Sequence, residues 1–161
     1  MKKIKLTAVV SAYNAEKKLA KCLNSLKFCD ELIVVHNSST DNTESVAKKY
    51  TDSIFTRPNN PMLNVNKNFG ITKASGEWVL YLDDDEQVTP ELAKEIKEIT
   101  SQKDAADGYL IPRKNIIFGK WIEHTGWYPD YQLRLFKKGK GKFAEIHVHE
   151  LVSIDGLVGK L

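Results

Sequence analysis

Trp78-Val79-Leu80-Tyr81-Leu82 is unbroken in apolar character and stops at Asp83-Asp84-Asp85-Glu86. A continuous apolar run, as opposed to an alternating one, predicts a strand covered on both faces, as in a parallel sheet. Thr89 as N-cap and Pro90 at the first helical position then predict a helix reaching about Thr100. On the other side, Ser75-Gly76 ends a helix that follows the Pro/Asn-rich loop Arg57 to Asn64 and runs to about Ala74.

The same alternation extends to the N-terminus. Leu6 to Val10 reads as a strand, and Ala15 to Leu26 as a helix with Leu19, Cys22, Leu23 and Leu26 at helical spacing. Glu31 to Val35 is a second buried-type strand; Asp41 as N-cap with Glu44 three residues on opens a helix toward Tyr50. Ser53 to Thr56 forms a third, shorter strand. Strands alternating with helices predict an α/β fold, a mostly parallel central sheet flanked by helices on both faces, with ligands beyond the carboxyl ends of the strands. After Gly108 the pattern changes to short strands, Tyr109 to Ile111, Ile116 to Phe118 and Gln132 to Phe136, which predict an α+β C-terminal part. The basic run Lys137 to Lys142 reads as a solvated hairpin turn, with contact to anionic lipid as the alternative.

A length of 161 residues suits one domain with its own core. With 24 Lys and Arg against 21 Asp and Glu, the net charge of +3 does not predict a nucleic-acid partner. Cys22 and Cys29 lack metal-ligand or redox spacing and read as free thiols. The first apolar run breaks at Ser11-Ala12-Tyr13-Asn14, too early for a signal-peptide core, and no window approaches the roughly 20 apolar residues of a membrane span. The expected compartment is the cytoplasm, with peripheral contact at the inner face of the plasma membrane as the most the sequence allows.

Four adjacent carboxylates repel one another, so Asp83 to Glu86 are expected to gather positive charge. Hard oxygen ligands suit Mg²⁺ or Mn²⁺, and such a site commonly takes one or two protein carboxylates, completed by water and substrate phosphate. The alternative is an acidic turn stabilising the N-terminus of the helix that starts at Pro90.

Several separated segments, in order, resemble the family 2 glycosyltransferases: Val9-Val10-Ser11-Ala12-Tyr13-Asn14, Asn37-Ser38-Ser39-Thr40-Asp41, Asn68-Phe69-Gly70-Ile71 with Ala74-Ser75-Gly76, and Leu82-Asp83-Asp84-Asp85-Glu86. The resemblance implies a GT-A nucleotide-diphospho-sugar transferase fold, with residues 1–102 as the nucleotide-binding half and 103–161 as the acceptor-side half. It further implies a nucleoside-diphosphate sugar donor near Ser11, Tyr13, His36, Lys67, Asp83 and Asp84, and a metal at Asp85. His36 departs from the family, which commonly has an Asp there that reads the nucleobase; an imidazole does not reproduce a carboxylate.

Gly126 to Phe136, followed by Val148-His149-Glu150, resembles the bacterial lipopolysaccharide-core glucosyltransferases. That resemblance implies an inverting hexosyltransferase acting on a glycan or glycolipid hydroxyl. Inversion needs a carboxylate to take the acceptor's proton. Asp130, before Leu133-Arg134, is the first candidate and Glu150 the second. His147 and His149 share one side of the expected strand, and Trp121, Trp127 and Tyr128 offer aromatic faces for a sugar. Relatives in this subgroup continue past Leu161, so a truncated acceptor side is expected. A nucleotide-sugar or glycan-binding module without turnover is the alternative reading.

Overall fold

The computed structural model describes residues 5–124, 128–144 and 152–161. Among these, seven strands form one sheet in the order β11-β5-β8-β4-β1-β2-β3. They are β1 (Leu6–Ala12), β2 (Glu31–His36), β3 (Ile54–Thr56), β4 (Trp78–Asp83), β5 (Gly108–Arg113), β8 (Asp130–Lys137) and β11 (Val158–Lys160). Strands β1 to β4 pair in parallel, as their continuous apolar runs require, and β8 enters antiparallel between β4 and β5.

Both faces are covered. On one, α1 (Leu19–Ser25), α2 (Thr43–Ala47) and α4 (Pro90–Ser101) bring Leu19, Leu23, Ala47 and Ile96 onto Ala8, Val10, Val34 and Leu80. On the other, α3 (Leu63–Lys73) and β9 (Gly141–Phe143) set Ile71 and Phe143 against Val9, Ile33, Val79 and Tyr81. Gly70 is where α3 approaches most closely: a Cβ there would meet methyl groups of Val9 and Val35, each at 2.7 Å. Gly70→Ala is expected to cost about 1–3 kcal/mol by overpacking, read as a lowered denaturation midpoint. A neutral result would mean that α3 shifts outward at no cost.

Several local expectations change: α2 ends at Ala47, short of Tyr50, and the strand read over Ile116 to Phe118 ends at Ile117. The first helix begins at Leu19, four residues later than Ala15, because the Ala15 N–H donates to Thr43 Oγ1 (2.7 Å) and the Glu16 N–H to Asp41 (3.1 Å), tying that stretch to the loop after β2. For α2 the N-cap is Asn42, while the Asp41 carboxylate still accepts the Thr43 N–H at 3.0 Å. The run Lys137 to Lys142 is not a hairpin turn, since β9 pairs with β10 (Val152–Ile154) and not with β8. Lys137 Nζ lies 2.8 Å from the Ala105 carbonyl and 3.2 Å from Asp107, and Lys140 Nζ lies 3.2 Å from Asp155. Thr89 caps α4 as expected, accepting the Leu92 N–H at 3.2 Å.

Both cysteines are free; burial pushes the Cys22 thiol upward and the Cys29 thiol up to about 12, so neither is a nucleophile near neutrality. Among the described residues no helix is long and apolar enough to cross a membrane.

Candidate functional site

Strand order reverses between β1 and β4: β2 and β3 follow β1 outward on one side, while β4 opens the other. In open α/β sheets that reversal leaves a crevice at the carboxyl ends, where ligands bind. Register places the expected residues around it. Ser11 pairs with Asp83 across β1 and β4, and Ala12 pairs with His36 across β1 and β2.

The loops after β1 and β2 brace each other. Asn14 has φ +46° and Ser38 φ +50°, and an Asn tolerates that conformation better than most side chains. Asn14 Oδ1 accepts the Thr40 N–H (2.9 Å), and the Asn14 N–H donates to Ser39 Oγ (3.1 Å). Behind them, Asn37 donates to Ser11 Oγ (2.8 Å) and accepts from Asn66 (2.7 Å). Tyr13 is left exposed at the rim, its N–H donating to Asp84 at 3.3 Å.

His36 is only 5% exposed, and its Nε2 accepts the Ser39 N–H at 3.1 Å. The ring therefore holds the β2 loop, and the edge left for other work is Nδ1, 4.0 Å from Glu44.

The acidic cluster divides by direction. Asp83 receives Lys67 Nζ (3.0 Å), Arg134 Nη2 (2.7 Å) and the Tyr81 hydroxyl (3.1 Å). Burial alone would raise its carboxyl; the Arg134 and Lys67 charges outweigh that and hold it below the ordinary carboxylate range. Burial also pushes the Tyr81 phenol well up, so it remains a donor. Lys67 is buried between the Tyr81 and Phe143 rings, 5.3 and 5.1 Å from their centroids. Asp84 pairs with Lys18 at 2.6 Å. Partial burial works against the Lys18 ammonium, yet Asp84 and Asp85 hold it above its ordinary value. Glu86 turns inward, accepting the Asp83 N–H (3.1 Å), Arg134 (2.6 Å) and Arg113 (3.4 Å).

Mutual repulsion is thus relieved for three of the four acids by basic side chains from separate elements. Asp85 differs: its side chain is 61% exposed, with Lys18 at 3.4 Å. Among the described residues no three His, Cys, Asp or Glu groups converge to hold a metal. The donor chemistry at Asp85, one exposed hard carboxylate beside the crevice, fits a cation completed by water and phosphate oxygens.

Asp130 opens β8 opposite Arg113 at the end of β5. Its Oδ2 accepts Arg113 Nη2 (2.6 Å), Arg113 Nε (3.0 Å) and Asn115 Nδ2 (3.2 Å), whereas Oδ1 accepts Gln132 Nε2 (2.7 Å). Burial would raise this carboxyl, but the hydrogen bonds from Asn115, Gln132 and Arg113 and the Arg113 charge lower it. A chain of ion pairs therefore runs from Lys67 through Asp83, Arg134, Glu86 and Arg113 to Asp130, joining the crevice to the candidate base. Of the side chains that hold these carboxylates, Lys18, Arg113, Asn115 and Gln132 are not pointed to by the sequence alone. Four adjacent acids imply partnering cations, but not which of the 24 Lys and Arg supply them. Trp121 meets the Tyr128 ring edge-on, centroids 5.3 Å apart. Trp127, His147, His149 and Glu150 lie outside the described residues.

Comparison with known proteins identifies the family and the fold. The lipopolysaccharide core biosynthesis glycosyltransferase LpsC of Rhizobium meliloti (strain 1021) is 28% identical over 98% of the chain. The chain spans 60% of that relative's length. The crystal structure of S. aureus TarS 1-349 in complex with UDP superposes over 98% of this chain and 61% of that one, with a TM-score of 0.71 and 19% identity. Glucosyl-3-phosphoglycerate synthase from Mycobacterium tuberculosis, in complex with Mn²⁺, UDP and glucosyl-3-phosphoglycerate, covers 67% of this chain and 43% of that one, at a TM-score of 0.55 and 20% identity. These likenesses establish the GT-A fold. The model of glycosyl transferase family 2 matches residues 7–154, from β1 to β10, and the chain belongs to that family.

Proposed function

We propose that the chain is the catalytic domain of an inverting, metal-dependent hexosyltransferase. It moves a sugar from a nucleoside diphosphate to a hydroxyl of a glycan or glycolipid in cell-envelope polysaccharide or lipopolysaccharide synthesis. The observation that carries the reading is the gathering of Ser11 and Asp83, in register with each other, and His36, one residue further along, at the carboxyl ends of three adjacent parallel strands, with Asp85 exposed beside them. UDP is the favoured nucleotide, because TarS and glucosyl-3-phosphoglycerate synthase were solved with it.

In this mechanism Tyr13 offers its ring and Ser11 its hydroxyl to the nucleoside. Asp83, oriented by Lys67 and Arg134, accepts hydrogen bonds from ribose or sugar hydroxyls. Asp84 secures the Tyr13 backbone through its N–H. Asp85 would hold Mg²⁺ or Mn²⁺, which when bound would supply positive charge to the departing diphosphate. The acceptor oxygen attacks the anomeric carbon as the bond to the diphosphate breaks, and Asp130 takes the hydroxyl proton. Its Oδ1 is the better placed oxygen, accepting one side-chain donor where Oδ2 accepts three. A lowered carboxyl pKa keeps Asp130 ionised at neutral pH, in the form that can accept.

A thermal-shift screen of nucleoside diphosphates with and without Mn²⁺ tests the reading. UDP at about 100 times its Kd is expected to raise Tm by roughly 5–10 °C, only with metal present. Asp85→Ala is expected to abolish that increment while leaving the unliganded Tm near the parent's. If the variant retains full metal-dependent stabilisation, Asp85 is not the ligand; if no nucleotide stabilises the parent, the donor site is misassigned.

A further inference from the structure

Between Arg113 and Asp130 the chain leaves the main sheet as a small separate hairpin, β6 (Ile116–Ile117) and β7 (Lys120–Trp121). Ile117 pairs with Lys120, so the turn is the two residues Phe118-Gly119, with φ +50° and +76°. Two-residue hairpin turns with both φ values positive favour Asn or Asp followed by Gly. Phe118 is a bulky side chain in a conformation that disfavours it, and it is fully exposed. In water this choice is unfavourable twice over, in backbone conformation and in hydration. Ile116 is 63% exposed, and its cross-strand partner Trp121 lies on the same face, so the apolar surface continues from the tip.

Charge is arranged around this tip. Lys114 places its Nζ 4.9 Å from the Trp121 ring centroid, and Lys120 follows the turn directly. Glu123 is the one carboxylate of residues 114–124 and comes after the hairpin has closed, where the Ile122 N–H donates to the Asn115 carbonyl at 3.0 Å. An apolar and aromatic tip collared by lysines matches the boundary between headgroups and acyl chains of an anionic bilayer, where apolar groups enter and cations remain among the phosphates. The basic run 137–142 does not offer this, since Lys137 and Lys140 are engaged by Asp107 and Asp155.

We propose that the β6–β7 hairpin docks the protein on an anionic membrane surface by inserting Phe118 and Ile116. The proposal rests on the hairpin alone and not on the sugar-transfer reading. Docking there would bring membrane-borne molecules close to Arg113 and Asp130, which flank the hairpin in the chain.

Co-sedimentation with phosphatidylcholine vesicles, with and without phosphatidylglycerol, tests it. The parent is expected to bind the phosphatidylglycerol vesicles. Phe118→Asn should weaken that binding roughly ten- to a hundredfold with a Tm equal to or above the parent's, because Asn suits the turn. Lys114→Gln and Lys120→Gln should each weaken it about fivefold. Failure of the parent to bind, or Phe118→Asn binding as tightly as the parent, overturns the proposal. So does a concentration-dependent dimer in analytical ultracentrifugation that Phe118→Asn abolishes, which would assign the face to a second copy of the chain.

Discussion

Asp130→Asn is expected to leave the fold and donor binding intact while slowing sugar transfer by about 10²–10⁴-fold, the usual worth of general-base help. The geometry accommodates the amide. Its carbonyl oxygen can take the place of Oδ2 facing Arg113 and Asn115, and the new NH₂ then faces Gln132, whose own amide can turn to present its oxygen. Arg113 keeps Glu86 as a partner at 3.4 Å, so no cation is stranded. The amide has no means of taking a proton from the acceptor, and that is the only function it should lose. Transfer rates with a competent acceptor, alongside Tm with and without nucleotide, separate the two effects. Glu150→Gln is the matched comparison, as the second candidate in the late segment. Near-parental transfer by Asp130→Asn together with loss in Glu150→Gln would exchange the roles.

Arg134→Ala is expected to be the most destabilising single change in the site, by about 3–5 kcal/mol. Its Nη2 bridges Asp83 at 2.7 Å and Glu86 at 2.6 Å, and its side chain is 10% exposed. Removing it leaves a void between Asp83, which is one-third exposed and keeps Lys67, and the more enclosed Glu86, which keeps Arg113 at 3.4 Å, so each carboxylate loses its shorter ion pair. Against a total stability of roughly 5–15 kcal/mol for a domain of this kind, that is a large share. Arg134→Lys should recover only part of the loss, because a single ammonium on a flexible stem does not reproduce the planar fork. Urea unfolding midpoints measure both. A loss below about 1 kcal/mol for Arg134→Ala would mean that the pair behaves as an exposed surface bridge.

The parallel half was legible because its signals are local. The apolar run of β4, the Thr89-Pro90 start of α4 and the strand-helix alternation of residues 6–56 each lie within a short window, and each forms close to where it was read. The start of α1 was misplaced for a non-local reason: the N–H groups of Ala15 and Glu16 are claimed by Thr43 and Asp41, almost thirty residues away. The same limit applies to the site. Asp83, Asp84 and Asp85 could be chosen from adjacency, but their cations arrive from the start of α1, from α3 and from β8, and no spacing rule connects Lys18, Lys67 and Arg134. His36 stood out only as a departure from a family pattern; that its ring braces Ser39 follows from the turn at Ser38, which composition does not reveal.

The insertion of β8 between β4 and β5 carries a consequence for how the chain is made. Strands β1 to β4 can associate in the order in which they leave the ribosome, but the free edge of β4 and the whole of β5 must wait for residues 130–137. At ordinary elongation rates that wait is on the order of seconds, during which a long, apolar edge stands unpaired and open to other chains. Arg134 travels on the same late strand, so until it docks the bridge between Asp83 and Glu86 is missing, and the two acids have Lys67 and Arg113 without the guanidinium that joins them. Vectorial synthesis therefore closes the gap between β4 and β5 and inserts the bridging guanidinium in one event, before β11 joins the far edge. Nascent chains stalled before residue 130 should be the species that holdase chaperones retain, and those stalled beyond residue 137 should be released.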